Sequence, residues 1–319
     1  MAINKAMRAA LKALSYPEPD ITQTYKLKRQ VEAIANKPAK AKAEREKDIV
    51  IRDDIIRGRR GYDIPIRIFI PSGGKPSGVI VFFHGGGWVC GNIDTYTGVC
   101  TDIVEMLGRI VVSVDYRLAP ENKFPAGLED CYEAAYAVCR HRFLPEFSSD
   151  EIVLMGDSAG GNLAAAVSLL ARDRGEFMPQ RQILIYPSTG NDHSITSEFD
   201  SVRDNGTDYL LTSKQVEGYL SLYVSSQDDF KSPYLAPLLA DDLRFQPETL
   251  VITAEYCPLR DEGEEYGRRL RMSGNKVKIL RIKDALHGYM SLRLRFKMVR
   301  KTYELIASFL EKQSCIGYS

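Results

Sequence analysis

The stretch Val153–Gly161, VLMGDSAGG, sets Ser158 between Gly156 and Gly160 in the pattern G-x-S-x-G. A serine at a tight strand-to-helix turn sits in strained backbone that lifts its hydroxyl above a sheet edge, where it can act as a nucleophile. Side chains two residues to either side would collide with the neighbouring chain, so glycine is required at both positions. The Ala-rich run that follows starts a helix, whose free N–H groups and partial positive charge point at the reaction centre. A serine nucleophile also needs a base, an oxyanion hole and usually an acid.

The chain has four histidines: His84, His141, His193 and His287. In doubly wound sheets carrying such a serine, the chain order is Ser, acid, His. His84 and His141 precede Ser158, and His193 follows it too closely to leave a strand for the acid. His287, in DALHGY just past the last apolar strand, remains as the candidate general base. The run His84-Gly85-Gly86-Gly87-Trp88 ends another apolar strand. Its glycines let backbone N–H groups approach a ligand closely. Two of them, with the N–H of Ala159, would bind a developing oxyanion. No Lys-Ser/Thr follows, which argues against a phosphate loop.

These residues need a scaffold that brings loop ends together. DIVIRDDIIR (48–57) and DIPIRIFIP (63–71) alternate apolar and polar residues and read as an antiparallel edge pair. GVIVFFHGGGW (78–88), RIVVSVDYR (109–117), EIVLMGDS (151–158), RQILIYP (181–187), TLVITAEY (249–256) and KVKILRIK (276–283) are apolar strand candidates. Helical stretches near 94–107, 126–141, 159–175 and 290–312 separate them. This alternation predicts an α/β fold with a mostly parallel, doubly wound, eight-stranded sheet. Residues 1–46 read as a helical arm, with Ile3, Met7, Leu11 and Leu14, then Tyr25, Leu27, Val31 and Ile34, at helical spacing. The long stretch from about 188 to 239 holds one amphipathic helix, 211–224, capped by Thr212 or Ser213. The arm and this insertion are the expected helical cap over a domain spanning 47–319.

The composition fits one large domain: 319 residues, 44% hydrophobic and 27% charged. A net charge of +1 gives no nucleic-acid footprint and no polybasic membrane patch. No run of about 18 apolar residues exists to span a membrane. The N-terminal MAINKAMRAALKALSYPEPD is broken by lysines and arginines and does not read as a secretory signal. Cys90, Cys100, Cys131, Cys139, Cys257 and Cys315 form no C-x-x-C pair and no zinc spacing with histidine, so no metal is expected. Reduced thiols in a cytoplasmic protein are the simplest expectation.

HGGGW (84–88), YRLAPE (116–121), FPA (124–126), GDSAGGN (156–162), PLRDEG (258–263) and HGY (287–289) occur in this order. With SPYLAPLLADD (232–242), they make the chain resemble the hormone-sensitive lipase family of bacterial carboxylesterases, within the α/β-hydrolase fold. The resemblance implies hydrolysis of short-chain acyl esters through an acyl-enzyme, without a cofactor, and often a homodimer paired through the last strand. It assigns Ser158 as nucleophile, His287 as base, and Gly85, Gly86 and Ala159 as oxyanion donors. Asp157 and Tyr116 match motif positions and read as scaffold. One position departs from the family, whose acid is the Asp of an Asp-Pro-Leu motif. Here that motif reads Cys257-Pro258-Leu259. A thiol with pKa about 8.5 is mostly neutral at pH 7 and cannot stabilise an imidazolium as a carboxylate does. Glu255, Asp261, Glu262 and Asp284 are the carboxylates nearby in sequence. Two alternatives to the esterase therefore stand: a ligand-binding protein whose catalysis has decayed, and an amidase or deacetylase. A weakened base argues against the latter, because amides need stronger protonation of the leaving group.

Overall fold

The computed structural model describes residues 11–13, 20–36, 43, 48–59, 61–144 and 146–311. Of the arm positions, Ile3, Met7 and Leu14 lie outside the described residues. The chain forms one eight-stranded sheet. Its strands are β1 (Ile49–Arg57), β2 (Asp63–Pro71), β3 (Val79–Phe83), β4 (Ile110–Val114), β5 (Ile152–Asp157), β6 (Arg181–Ile185), β7 (Glu248–Tyr256) and β8 (Val277–Leu286). The spatial order is β1-β2-β4-β3-β5-β6-β7-β8. β1 pairs antiparallel with β2, and β2 antiparallel with β4, while every later pairing is parallel. Every residue of β3, β4, β5 and β6 is buried. Strands covered by helices on both faces have no polar side to present, which is why these segments read as continuous apolar runs.

The helices are α1 (Ile21–Asn36), α2 (Thr97–Leu107), α3 (Ala126–Cys139), α4 (Ala159–Arg174), α5 (Asp200–Asp204), α6 (Ser213–Tyr223), α7 (Arg260–Met272) and α8 (Lys297–Glu311). α2 begins three residues later than the expected start, and the stretch after His287 splits into a 3-10 turn, Tyr289–Leu292, followed by α8. α6 carries the expected cap: Thr212 Oγ1 accepts from the Gln215 N–H at 3.1 Å, closing a capping box.

The parallel strands settle where chemistry can occur. β3, β5, β7 and β8 all end on the same side of the sheet. The register pairs Phe83 with Gly156 and Asp157 with Ile185. The glycine loop after β3 and the Ser158 turn after β5 therefore leave the sheet side by side, and Cys257 and His287 leave it at the ends of β7 and β8. This is where open α/β sheets bind ligands.

Above that edge lie α1 and α6. Ile21 of α1 is buried, and a Cβ at Gly218 of α6 would come within 2.5 Å of it. Of the expected apolar stripe of the arm, Tyr25 packs against the core, while Leu27, Val31 and Ile34 are 61%, 57% and 71% exposed. Polar contacts hold the rest of α1. Arg29 donates to the carbonyls of Val89 (2.6 Å) and Ala119 (2.5 Å) and pairs with Glu121, while Glu32 accepts from the Gly91 N–H at 3.2 Å. The partners of α1 are loop carbonyls and amides left over at the sheet edge, and only polar side chains can satisfy them.

Candidate active site

Ser158 has φ 56° and ψ −121°, a conformation that L-residues rarely hold. Its N–H donates to the Ile185 carbonyl at 2.9 Å, and its carbonyl accepts from the Asn162 N–H at 3.0 Å. The two framing glycines are sterically obligatory. A Cβ at Gly156 would lie 2.2 Å from the Gly160 carbonyl oxygen, and one at Gly160 would lie 1.9 Å from that of Phe83. These are overlaps with backbone, which has no rotamer to escape into.

The hydroxyl meets a histidine. His287 Nε2 lies 2.8 Å from Ser158 Oγ, and His287 Nδ1 lies 3.1 Å from Cys257 Sγ. Burial, with the charge of Lys28, pushes the His287 pKa down to about 3. Cys257 is fully buried, which raises its thiol well above the ordinary range, and its sulfur accepts from the Leu259 N–H at 3.3 Å. Three of the carboxylates near in sequence are engaged away from the imidazole. Glu255 accepts from the Asp284 N–H at 2.7 Å. Asp261 pairs with Arg260 and accepts from the Ser201 N–H. Glu262 accepts from Thr189 and Gly190 and lies 2.7 Å from His193 Nε2. Of the other histidines, His84 is buried beneath the glycine loop, stacked on Tyr116 at 4.3 Å and held down to about 4 by burial.

The glycine loop differs from the expectation at Gly85. Its N–H donates to Asp157 Oδ1 at 2.9 Å, so it is not free to meet an oxyanion. Among the described residues the N–H groups of Gly86, Gly87 and Ala159 have no such partner, and all three residues line the same cavity as Ser158. Gly87 lies outside the pair, Gly85 and Gly86, that the resemblance implies. A Cβ there would lie 2.4 Å from the Tyr219 ring of α6, which packs directly on the loop. Trp88 stacks on Tyr223 of the same helix at 4.7 Å. Asp157 also accepts from the Tyr96 and Tyr186 hydroxyls, at 3.1 and 3.2 Å. It thereby ties the glycine loop to the serine turn, and burial raises its pKa to about 6.

The cavity is about 310 Å³, at the small end of ligand sites. Its walls above the serine come from Lys28 and Glu32 of α1 and from Val216 and Tyr219 of α6, with Val99, Leu211 and Leu259 making it largely apolar. Lys28 Nζ donates to the Tyr219 hydroxyl at 2.8 Å. Among the described residues no cluster of His, Cys, Asp and Glu is arranged to hold a metal ion, and no helix is long and apolar enough to cross a membrane. Cys90, Cys100, Cys131, Cys139 and Cys257 are buried free thiols.

A strained serine bonded to a histidine that follows the last strand, beside unpartnered loop amides, is the geometry of acyl transfer. A family model described as alpha/beta hydrolase fold matches residues 80–291. The carboxylic ester hydrolase LipN of Mycobacterium tuberculosis is 37% identical over 249 residues, which is 76% of this chain and 65% of LipN. The chain belongs to the hormone-sensitive lipase family of carboxylic ester hydrolases. Two other esterases are similarly alike. An arylesterase of Saccharolobus solfataricus is 36% identical over 229 residues, covering 72% of this chain and 74% of its own. A hyperthermophilic esterase from the archaeon Pyrobaculum calidifontis superimposes with a TM-score of 0.86 at 36% identity, covering 98% of this chain and 99% of that one. The likeness to that esterase thus extends beyond the matched motifs to α1 and the 188–239 stretch.

The ionisations of this site make a pH prediction. The pH dependence of kcat/KM reports the free enzyme's ionisations. His287, held near 3, stays neutral through the working range and gives no limb at its ordinary value of 6.5. Asp157 takes up a proton near pH 6, and its bond from the Gly85 N–H then loses charge assistance. As pH falls from 7 to 5, kcat/KM is expected to drop by roughly two- to tenfold, the worth of one such bond, with a midpoint near 6. Asp157→Asn should give a lower, flat profile over that interval. A limb that survives Asp157→Asn unchanged would return it to His287.

Proposed function

We propose that the protein is a serine carboxylesterase acting on short-chain acyl esters, with a thiol at the position of the triad acid. The contact of His287 Nε2 with Ser158 Oγ at 2.8 Å is the observation that carries this reading. Ser158 Oγ attacks the ester carbonyl as His287 Nε2 takes its proton. The oxyanion is held by the N–H groups of Gly86, Gly87 and Ala159. His287 returns the proton to the departing alkoxide, and a water activated in the same way releases the acid from the acyl-enzyme. Donors of this kind are each worth about 10²–10³ in rate, so the loop remains a major contributor even where the base is weak. No step calls for a cofactor. Labelling with an organophosphate tests the assignment directly: one adduct per chain, at Ser158, is expected. A stable protein left unlabelled would instead point to a ligand-binding role on the same fold.

α1 and the 188–239 stretch act in this reading as the cap. They supply Lys28, Glu32, Val216 and Tyr219 to a cavity of about 310 Å³. A cavity of that size admits a short acyl chain and a small alcohol, near the lower limit for ligand sites. On p-nitrophenyl esters from acetate to decanoate, kcat/KM should peak between about two and six carbons and be at least about tenfold lower for decanoate than for butyrate. Loss of one methylene's burial changes binding by about 0.8 kcal/mol, so a pocket that reached decanoate would show the opposite trend.

A further inference from the structure

From Ala285 to Tyr303 the chain has no acidic residue, yet it holds Arg293, Arg295, Lys297, Arg300 and Lys301. Arg293 pairs with Asp102. The other four are exposed, have no ion pair among the described residues and, with Glu304, line a concavity of about 410 Å³. A net charge of +1 over the whole chain conceals this local excess, because the balancing carboxylates lie elsewhere.

Two features say what covers this face. Lys297, Arg300 and Lys301 occupy the first turns of α8, and the first turn has no acidic residue. Cations at a helix N-terminus oppose the macrodipole, so the arrangement gains from an external anion. Beside them Leu292 and Phe296 are 38% and 37% exposed, and the Arg295 guanidinium lies 5.2 Å from the centre of the Phe296 ring. Cations around exposed apolar side chains match an interface of anionic headgroups over acyl chains. The same segment reaches the active site, since Gly288 and Ser291 line the cavity above Ser158.

We infer that the face formed by Leu292, Arg295, Phe296, Lys297, Arg300 and Lys301 docks the protein reversibly on anionic phospholipid bilayers, beside the mouth of its active site. The inference concerns binding and stands whether or not the ester chemistry proposed above is correct.

Sedimentation of the full chain with lipid vesicles tests it. Binding is expected to phosphatidylcholine vesicles containing about 30% phosphatidylglycerol, and not to pure phosphatidylcholine, and it should fall steeply at about 0.5 M salt. Each basic residue near such a surface contributes about fivefold in partitioning. The triple variant Lys297→Glu, Arg300→Glu, Lys301→Glu should therefore lose at least about 100-fold, with activity on soluble p-nitrophenyl acetate unchanged. Phe296→Ser, which alters no charge, should weaken vesicle binding as well. The idea is overturned by equal sedimentation with both vesicle types or by undiminished binding of a triple variant whose melting temperature matches wild type. It is equally overturned if vesicles fail to bind while inorganic phosphate, single-stranded DNA or a second copy of the chain protects Lys297 and Lys301 from acetylation.

Discussion

Ser158→Ala protein is expected to turn over p-nitrophenyl butyrate at least about 10²-fold more slowly than wild type. The size of the loss depends on what the thiol contributes. In serine proteases with a complete triad, removal of the serine costs about 2 × 10⁶ in kcat, whereas removal of the acid alone costs about 3 × 10⁴. The members act as a unit, so an enzyme already lacking its acid has only the remaining factor, about 10², to lose. A larger loss would mean that Cys257, 3.1 Å from His287 Nδ1, performs part of the acid's task. The fold should survive the substitution, because alanine removes one hydroxyl while Gly156 and Gly160 keep the turn open. Turnover at the wild-type rate in pure Ser158→Ala protein would refute the esterase mechanism.

Cys257→Asp is expected to raise kcat, by about tenfold on p-nitrophenyl esters and about 10²–10³-fold on ethyl esters. The reason lies in protons and tautomers. Burial keeps the Cys257 thiol neutral, so it carries a hydrogen of its own. If S–H donates to Nδ1, the ring proton sits on Nε2, facing Ser158, and the base is blocked. If Nδ1–H donates to sulfur, the tautomer is productive but the acceptor is weak. A carboxylate has no proton, so it permits only the productive tautomer and stabilises the imidazolium that forms. The site is built to receive one: the Leu259 N–H already points at Sγ at 3.3 Å and would satisfy a second carboxylate oxygen. p-Nitrophenolate leaves with little help, whereas ethoxide requires a proton from His287, hence the larger gain on alkyl esters. The His287 pKa should rise with the added anion, so Cys257→Asp should also introduce a second low-pH limb, belonging to His287, beside the Asp157 limb expected of the wild type. Should Cys257→Asp be neutral while Asp284→Asn or Glu255→Gln abolishes turnover, the acid lies elsewhere and the assignment fails.

What the sequence determined by itself was local. The buried strands β3 to β6 are legible because helices cover both of their faces and leave no polar residue in the run. The Ser158 turn is legible because the clashes that exclude a Cβ at Gly156 and Gly160 involve the turn's own chain and the strand beside it. His287 could be reached by chain order, since parallel strands deliver their loop ends to one edge in a fixed sequence. That a thiol, Cys257, stands where the resemblance implies a carboxylate is likewise plain in one dimension.

The tertiary structure decided what depends on partners far apart in the chain. Which loop amides remain free is one case: the Gly85 N–H is claimed by Asp157, 72 residues away, while those of Gly86 and Gly87 have no partner among the described residues. No local pattern distinguishes three consecutive glycines, because each is equally permissive in backbone. The docking face of α1 is another: helical spacing favours Tyr25, Leu27, Val31 and Ile34, but only Tyr25 of these packs on the core, and the sheet edge offers carbonyls and amides that Arg29 and Glu32 satisfy. Engagement of Glu255, Asp261 and Glu262 away from His287 could also be decided only in three dimensions. Proximity in sequence puts a carboxylate near the loop, while the direction of its side chain is set by whichever buried donor it must satisfy.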